Sequence, residues 1–188
     1  AEQVRALGEE DFRDRLVPYL ADAYPDPTGE ALQAPLVSAE SFDELSAREQ
    51  EILNAAAPLI QTRIQMLREC RDMLGFLFVS DAELTIDDKA VAKLKASAGD
   101  VLDAGIHALE GLGTEQWGRG QLEEALSAAI VEGQGMPNGE GIKPRLAYGP
   151  LRVAVTGRQV SPPLFESMEI LGAGSTLARL KALRARLG

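Results

Sequence analysis

The sequence predicts an all-α protein. Apolar residues recur every three or four positions along most of its 188 residues, the spacing of one face of a helix. Only the run LRVAV (151–155) looks like a strand, and a run of five residues cannot distinguish a strand from a buried helix. Segments rich in Gly and Pro, such as 23–30 and 133–144, separate the periodic stretches. We therefore predict helices joined by loops.

Two helices are predicted before residue 79. The first covers residues 9–22, and Pro18 should end or kink it. The second begins at a capping box of Ser46 with Glu49 and runs to Phe78 as one long helix, which Pro58 can kink. Its apolar row contains one arginine and reads Ala56, Ile60, Arg63, Leu67, Cys70, Leu74 and Leu77.

Four more periodic segments follow. Asp87 is placed to cap a helix over 88–97, and further helices are predicted at 99–112 and 119–132. The last helix follows Ser175, its predicted cap, with leucines on one face and basic residues on the other. The glycine-rich loop 133–144 lacks the Lys-Ser/Thr ending of a phosphate-binding loop.

Charge is distributed unevenly along this acidic chain. The formal net charge is −10, which argues against general nucleic-acid binding. From Lys143 onward, however, eight basic and two acidic residues give +6, which leaves −16 for residues 1–142. Two interpretations remain: a solvated basic helix face, or a local phosphate-binding surface.

Several kinds of site are not indicated. One cysteine, Cys70, allows no internal disulfide and is compatible with the cytoplasm. No apolar run is long enough to cross a membrane, no Cys/His cluster suggests a metal, and the acidic residues are scattered. The N-terminal segment lacks the features of a signal peptide, and the missing initiator Met leads us to expect part of a longer protein. We expect no catalytic, cofactor or metal site in this chain.

Two stretches carry a family resemblance. They are PLIQTRIQMLRECRDMLGFLF (58–78) and KPRLAYGPLRVAVTGRQVSPPLFESMEILGAGSTLARLKAL (143–183). Both resemble the C-terminal half of bacterial glutamyl-tRNA synthetases, as do QVRALGEEDF near the start and EQW at 115–117. The final block, with LR-x-A-x-TG followed by P-x-LFE, is the most specific part.

The resemblance implies two helical sub-domains that form an anticodon-binding bundle or superhelix. Residues 1–79 would form the sub-domain that contacts the anticodon stem, residues 80–188 would form the distal sub-domain that binds the anticodon, and LRVAV would be helical. Enzymes of this family join glutamate to tRNA(Glu) using ATP and Mg²⁺. The HIGH-like and KMSKS-like motifs of their catalytic part are absent here. We therefore expect this chain alone to be a monomer without aminoacylation activity that binds tRNA(Glu) but neither DNA nor membranes.

By the same resemblance, Arg63 corresponds to the arginine that reads the third anticodon base. A guanidinium only donates hydrogen bonds. Cytosine, the third base in glutamate anticodons, offers the acceptors N3 and O2, whereas guanine, which ends glutamine anticodons, presents donors. One arginine can thus attract the first and repel the second, which is worth about 1–3 kcal/mol for a good bidentate contact. Arginine rather than glutamine here favours a discriminating enzyme.

The final block supplies the other anticodon-binding residues. Arg152 corresponds to a family arginine at the anticodon, and Ser161, Pro162 and Leu164 correspond to the loop that contacts the remaining bases. Ser161 is predicted to cap a helix that begins at Pro162. Pro163 stands where glycine can occur and stiffens this loop. Arg158 can add a phosphate or base contact, although no family residue is carried over to it.

Two alternatives stay open. The chain could be an α-helical protein-interaction module without tRNA contact, as its acidic first 142 residues suggest. It could also be the equivalent region of a non-discriminating synthetase. A change of the third anticodon base separates these interpretations.

Overall fold

The structure, a computed structural model, describes residues 2–22, 24–25 and 32–188. The predicted break at 23–30 lies outside the described residues, apart from Tyr24 and Pro25. The chain divides into two compact units, Ala1–Val79 and Ser80–Gly188. The all-α prediction is confirmed, because helices form nearly all of the regular structure in the described residues.

The first unit is built on two long helices. Its elements are α1 (Glu2–Arg5), α2 (Glu9–Ala21), β1 (Tyr24–Pro25), β2 (Leu32–Gln33), a 3-10 turn (Phe42–Glu44), α3 (Ala47–Ile60), a 3-10 turn (Leu67–Glu69), α4 (Cys70–Leu74) and a 3-10 turn (Gly75–Leu77). The two short strands pair antiparallel, with Tyr24 opposite Gln33. Helix α2 packs on α3 and α4 and buries Phe12, Leu16 and Leu20.

The single long helix predicted from Ser46 to Phe78 is wrong in its second half. The Ser46–Glu49 capping box is present, but α3 ends at Ile60. Pro58 has no backbone N–H and its ring crowds the preceding turn, which weakens the helix there. The chain then turns away and is held by Gln61, whose Nε2 donates to the carbonyls of Val4 (3.1 Å) and Leu7 (2.8 Å).

The second unit is a helical bundle centred on α6. Its elements are α5 (Asp88–Ala92), α6 (Ala98–Glu110), a 3-10 turn (Thr114–Gln116), α7 (Arg119–Leu126), a π-helical turn (Ser127–Val131), α8 (Pro144–Thr156), α9 (Leu164–Leu171) and α10 (Ala173–Leu187). Asp87 caps α5 as predicted, since its carboxylate accepts from the Lys89 N–H. The LRVAV run lies inside α8, so the helical alternative is confirmed.

Close packing fixes α8 within this bundle. Helix α6 packs on α8 and α10, and a Cβ placed on Gly105 would lie only 3.0 Å from Leu151 Cδ2. The indole N–H of Trp117 donates to the Met168 carbonyl at 2.8 Å, which anchors α9. The predicted Ser175 cap is wrong, because α10 begins at Ala173.

Candidate nucleic-acid interface

The loop between α8 and α9, residues 157–163, contains most of the predicted site, and we call it the proline loop. It begins at Gly157, which has φ +79°, a backbone conformation that residues with a Cβ rarely adopt. A Cβ there would also collide with the Thr85 carbonyl, while the Gly157 carbonyl accepts from the Asp87 N–H at 2.8 Å. Glycine is therefore required where α8 ends.

Arg152 holds the far end of the proline loop. It lies on α8 one turn before Thr156, and its Nη1 donates to Ser161 Oγ at 2.5 Å and to the Pro162 carbonyl at 3.0 Å. The Thr156 hydroxyl lies 2.8 Å from the Arg152 carbonyl and accepts from the Arg158 N–H at 3.2 Å. The loop is thus fixed from both sides before any ligand arrives.

The structure places three predicted loop residues inside the protein. Ser161 is 7% exposed, Leu164 is 3% exposed and Pro162 is buried. The prediction that Ser161 caps a helix starting at Pro162 is wrong: α9 begins at Leu164, and the Ser161 hydroxyl is occupied by Arg152 and the Pro162 carbonyl. The exposed part of the loop is instead Arg158, Gln159 and Val160, the last 72% exposed.

Arg152 also borders a groove of about 890 Å³ in the second unit. One wall is the turn after α5 and the other is the N-terminal half of α8. Its lining includes Lys93, Lys95, Arg145, Arg152, Tyr148 and Gln159, and it contains no Asp or Glu. Lys93 Nζ lies 3.4 Å from Gln159 Oε1, so the groove adjoins the proline loop. Four cations therefore face one cavity in a chain of net charge −10.

Tyr148 is the aromatic residue of this groove. Its ring meets Phe165 edge to face, with centroids 5.2 Å apart. Burial raises the pKa of Tyr148 above its ordinary value of 10, although a hydrogen bond with Ser127 acts in the opposite direction. The hydroxyl therefore stays protonated at neutral pH, and the ring is a fixed, uncharged surface.

The sequence did not predict the groove, because the residues of its two walls are far apart along the chain. Lys93 and Lys95 belong to a segment predicted as plain helix, whereas α5 ends at Ala92 and leaves them in a turn. Arg145 was counted among the basic residues after Lys143, but nothing in its spacing pointed to Lys95. The local excess of basic charge was the one available signal.

Four basic residues of that tail lie on α10 and have acidic partners. The pairs and their N–O distances are Arg179–Asp81 (2.7 Å), Lys181–Glu110 (3.0 Å), Arg184–Asp103 (2.8 Å) and Arg186–Asp88 (2.6 Å). The four positive charges of α10 are therefore balanced by carboxylates from elsewhere in the second unit. The exposure of Lys181 and Arg186 agrees with the solvated helix face for α10. The phosphate-binding interpretation stays a prediction, and it applies to the groove that Arg145 and Arg152 line.

Arg63 lies on the first unit, in the turn that follows α3. Contrary to the predicted apolar row, its side chain is exposed, and Ile64 is buried in its place at 1% exposure. The early end of α3 causes this difference, because it changes the helical phase. Within residues 2–22, 24–25 and 32–188, the Arg63 guanidinium has no hydrogen bond or ion pair, so its donors are available to a ligand.

Other kinds of site find no support in the part of the chain that the structure describes. No group of three or more His, Cys, Asp or Glu residues there could hold a metal ion. Cys70 is buried, and burial raises the pKa of its thiol to about 12. None of the helices in the described residues has the length and apolar character needed to cross a membrane.

Comparison with known proteins identifies the family of this chain. The family model "Anticodon binding domain" matches residues 11–184. Glutamate–tRNA ligases of Kineococcus radiotolerans and Bifidobacterium longum are 49% and 48% identical over 187 residues, which is 100% of this chain. The chain spans about a third of their length, 33% and 34% respectively, and corresponds to their C-terminal part.

Solved structures show the same fold. A glutamate tRNA ligase from Elizabethkingia meningosepticum, in complex with its amino acid, superposes with a TM-score of 0.65 at 17% identity. It covers 100% of this chain, which corresponds to 31% of that protein. The chain therefore belongs to the anticodon binding domain family.

Proposed function

We propose that the chain is the anticodon-recognition part of a discriminating glutamate–tRNA ligase, a cytoplasmic enzyme that joins glutamate to tRNA(Glu). The observation that carries this proposal is the groove, where four cations and no carboxylate meet beside the proline loop. Single-stranded RNA is bound by cationic surfaces combined with rigid platforms for splayed bases. An otherwise acidic surface would disfavour unrelated RNA and leave attraction at this place.

Arg63 is assigned the third anticodon base. Its exposed guanidinium can donate to cytosine N3 and O2, and it would face donors if guanine stood there. The turn that carries Arg63 is held by Arg5, which donates to the Thr62 carbonyl at 3.1 Å. This fixed backbone limits the ordering entropy that RNA binding would cost.

Two roles at the remaining anticodon bases are assigned, direct contact and shaping of the loop, to the residues Arg152, Ser161, Pro162 and Leu164. Arg152 lines the groove and can reach a nucleotide there. Ser161, Pro162 and Leu164 are buried, so they act by fixing the shape of the loop, whose exposed residues meet the bases. Arg158 lies in that exposed part and is assigned a phosphate or a stacked base.

We assign the aminoacylation reaction to the part of the enzyme outside this chain. ATP and Mg²⁺ would bind there, and this third of the protein would bind tRNA(Glu) without aminoacylating it. The net charge of −16 over residues 1–142 is the observation that favours the alternative of a protein-interaction module.

Titration with two RNAs tests the proposal. One is the anticodon stem-loop of tRNA(Glu), and the other carries G instead of C at the third anticodon base. We expect the first to bind about tenfold or more tightly, the ratio that corresponds to about 1.4 kcal/mol. Equal binding would indicate a non-discriminating synthetase, and no binding of either RNA at low salt would favour the interaction module.

A further inference from the structure

We propose that Lys93, Lys95 and Arg145 bind consecutive phosphates of an RNA strand, and that Tyr148 stacks on one base of that strand. This inference rests on the proposed function and adds a sequence-independent site to it. The family resemblance assigned no role to any of these four residues.

The dimensions of the groove suit a nucleotide strand. Its volume of about 890 Å³ lies within the roughly 300–1,000 Å³ typical of pockets for small organic ligands. The groove lies between the turn that carries Lys93 and Lys95 and the first turns of α8, and it is partly open to solvent. A strand could therefore enter it from solvent without threading through a closed channel.

The charges of the groove indicate an anionic ligand. Lys95 and Arg145 are exposed and make no hydrogen bond or ion pair with the described part of the chain. Arg145 also lies in the first turn of α8, where the helix dipole is positive and a cation is unfavourable. Elsewhere in this unit, the cations of α10 each have a carboxylate within 3.0 Å. Phosphates would relieve the repulsion among the groove cations.

Tyr148 distinguishes RNA from an acidic peptide. A peptide carboxylate needs only the cations, whereas a nucleotide also offers a base that can stack on an aromatic ring. The Tyr148 ring is held by Phe165, and Tyr148 is among the residues that line the same cavity as the cations. The contact between Lys93 and Gln159 then places the strand next to the exposed part of the proline loop.

The main experiment measures the salt dependence of RNA binding by the whole chain. The variant is Lys93→Gln with Lys95→Gln, and the probes are the two stem-loops with C or G at the third anticodon base. Each phosphate of a single strand that a cation neutralises contributes about 0.7 to the slope of log K against log salt. Because the variant lacks two such cations, we expect the slope to fall by about 1.4. The affinity for both RNAs should fall by the same factor, so that the ratio of the two affinities is unchanged.

The matched control is Lys181→Gln with Arg186→Gln. It removes the same charge from cations that have the acidic partners Glu110 and Asp88. The slope should stay within about 0.3 of the value for the unmodified chain. An equal fall in the control would show a nonspecific charge effect and overturn the phosphate assignment.

Stacking is tested with Tyr148→Leu and Tyr148→Phe. The Tyr148→Leu variant lacks the stacking ring, so its affinity for RNA should fall about tenfold while the salt slope stays the same. The Tyr148→Phe variant keeps a ring, so its affinity should stay within about twofold of that of the unmodified chain. If Leu lowers the thermal stability of the chain, the Phe variant still decides, because a failure of the Phe variant to bind would exclude stacking as the role of the ring.

The outcomes separate this inference from the proposed function. If the unmodified chain prefers the C-containing RNA and the double lysine variant keeps its slope, the groove assignment is overturned and the proposed function stands. If the unmodified chain binds neither RNA, the proposed function fails first. Binding of both RNAs with an unchanged ratio and a smaller slope supports both.

Discussion

The buried guanidinium of Arg179 and the carboxylate of Asp81 form an ion pair, with Nε and Oδ1 2.7 Å apart. Arg179 is 3% exposed, and its Nη1 also donates to the Val155 carbonyl at 2.8 Å. One side chain of α10 thereby connects the first residues of the second unit with the end of α8, immediately before the proline loop.

Asp81→Asn should destabilise the second unit. The change removes the charge that balances a buried guanidinium, and the partly exposed position of Asp81 limits the cost to about 1–3 kcal/mol. Urea unfolding followed by circular dichroism measures it. Asp103→Asn is the control, because its pair with Arg184 is more exposed and should contribute less than about 1 kcal/mol. Equal effects of the two changes would contradict the assigned importance of the Arg179 pair.

Gly157→Ala should lower stability by about 1–3 kcal/mol. Alanine is strained at φ +79°, and its Cβ would meet the Thr85 carbonyl. Gly120→Ala, in α7 with open space around it, should instead be neutral or stabilise by about 0.5 kcal/mol. Thermal unfolding of both variants gives the comparison, and a neutral Gly157 variant would refute the requirement for glycine at this position.

Arg63→Gln should narrow the preference for C over G at the third anticodon base. The amide of glutamine both donates and accepts, so the repulsion of guanine disappears along with part of the attraction to cytosine. We expect the difference in binding free energy between the two stem-loops to shrink by about 1–3 kcal/mol. Arg48→Gln, another exposed arginine of the first unit, should leave the ratio unchanged. An unaltered ratio in the Arg63 variant would remove the role given to this residue.

Arg152 and Ser161 should act as a coupled pair in RNA binding. Either Arg152→Ala or Ser161→Ala breaks the 2.5 Å bond that fixes the proline loop, so the double variant should bind RNA better than the sum of the two single effects predicts. Coupling of about 0.5–3 kcal/mol is expected for residues in direct contact. Pairing Ser161→Ala with Arg184→Ala should give additive effects. A fall in salt slope for Arg152→Ala alone would place its guanidinium on a phosphate.

Cys70 should make stability depend on pH in alkaline solution. In the unfolded chain the thiol loses its proton near pH 9, whereas the folded chain keeps it until about pH 12 because burial raises its pKa. The unfolded state therefore binds fewer protons between these values, and stability falls by about 1.4 kcal/mol per pH unit as pH rises. Below pH 9 the contribution is complete. Comparison of urea unfolding for Cys70→Ala and the unmodified chain from about pH 8 to pH 11 isolates this effect, and parallel curves would contradict it.

Local signals in the sequence predicted local features well. The Ser46–Glu49 capping box and the Asp87 cap are present, because they depend on residues within one turn. The predicted Ser175 cap failed, since α10 begins two residues earlier. Periodicity also failed between Ile60 and Cys70, where α3 gives way to a turn fixed by Gln61 contacts with residues more than 50 positions away.

The candidate site was predicted only in part, because the sequence carries local signals but does not show which distant residues pack together. The resemblance located the proline loop, but it could not show that Ser161 and Leu164 are buried or that Arg152 is bonded to the loop. The groove depends on bringing Lys93 and Lys95 beside Arg145, which only the packing of the second unit determines. Compensation of α10 by acidic side chains is likewise a tertiary property that the charge count alone could not reveal.

The hydrogen bond from Trp117 to the Met168 carbonyl gives the chain an intrinsic fluorescent reporter. Trp117 is the only tryptophan in the sequence, so all indole emission arises from one position. Its N–H is held at 2.8 Å from a carbonyl of α9, the helix that directly follows the proline loop. Any displacement of α9 would change the polarity around the indole and shift its emission wavelength, so that the position of this helix can be followed without an added label.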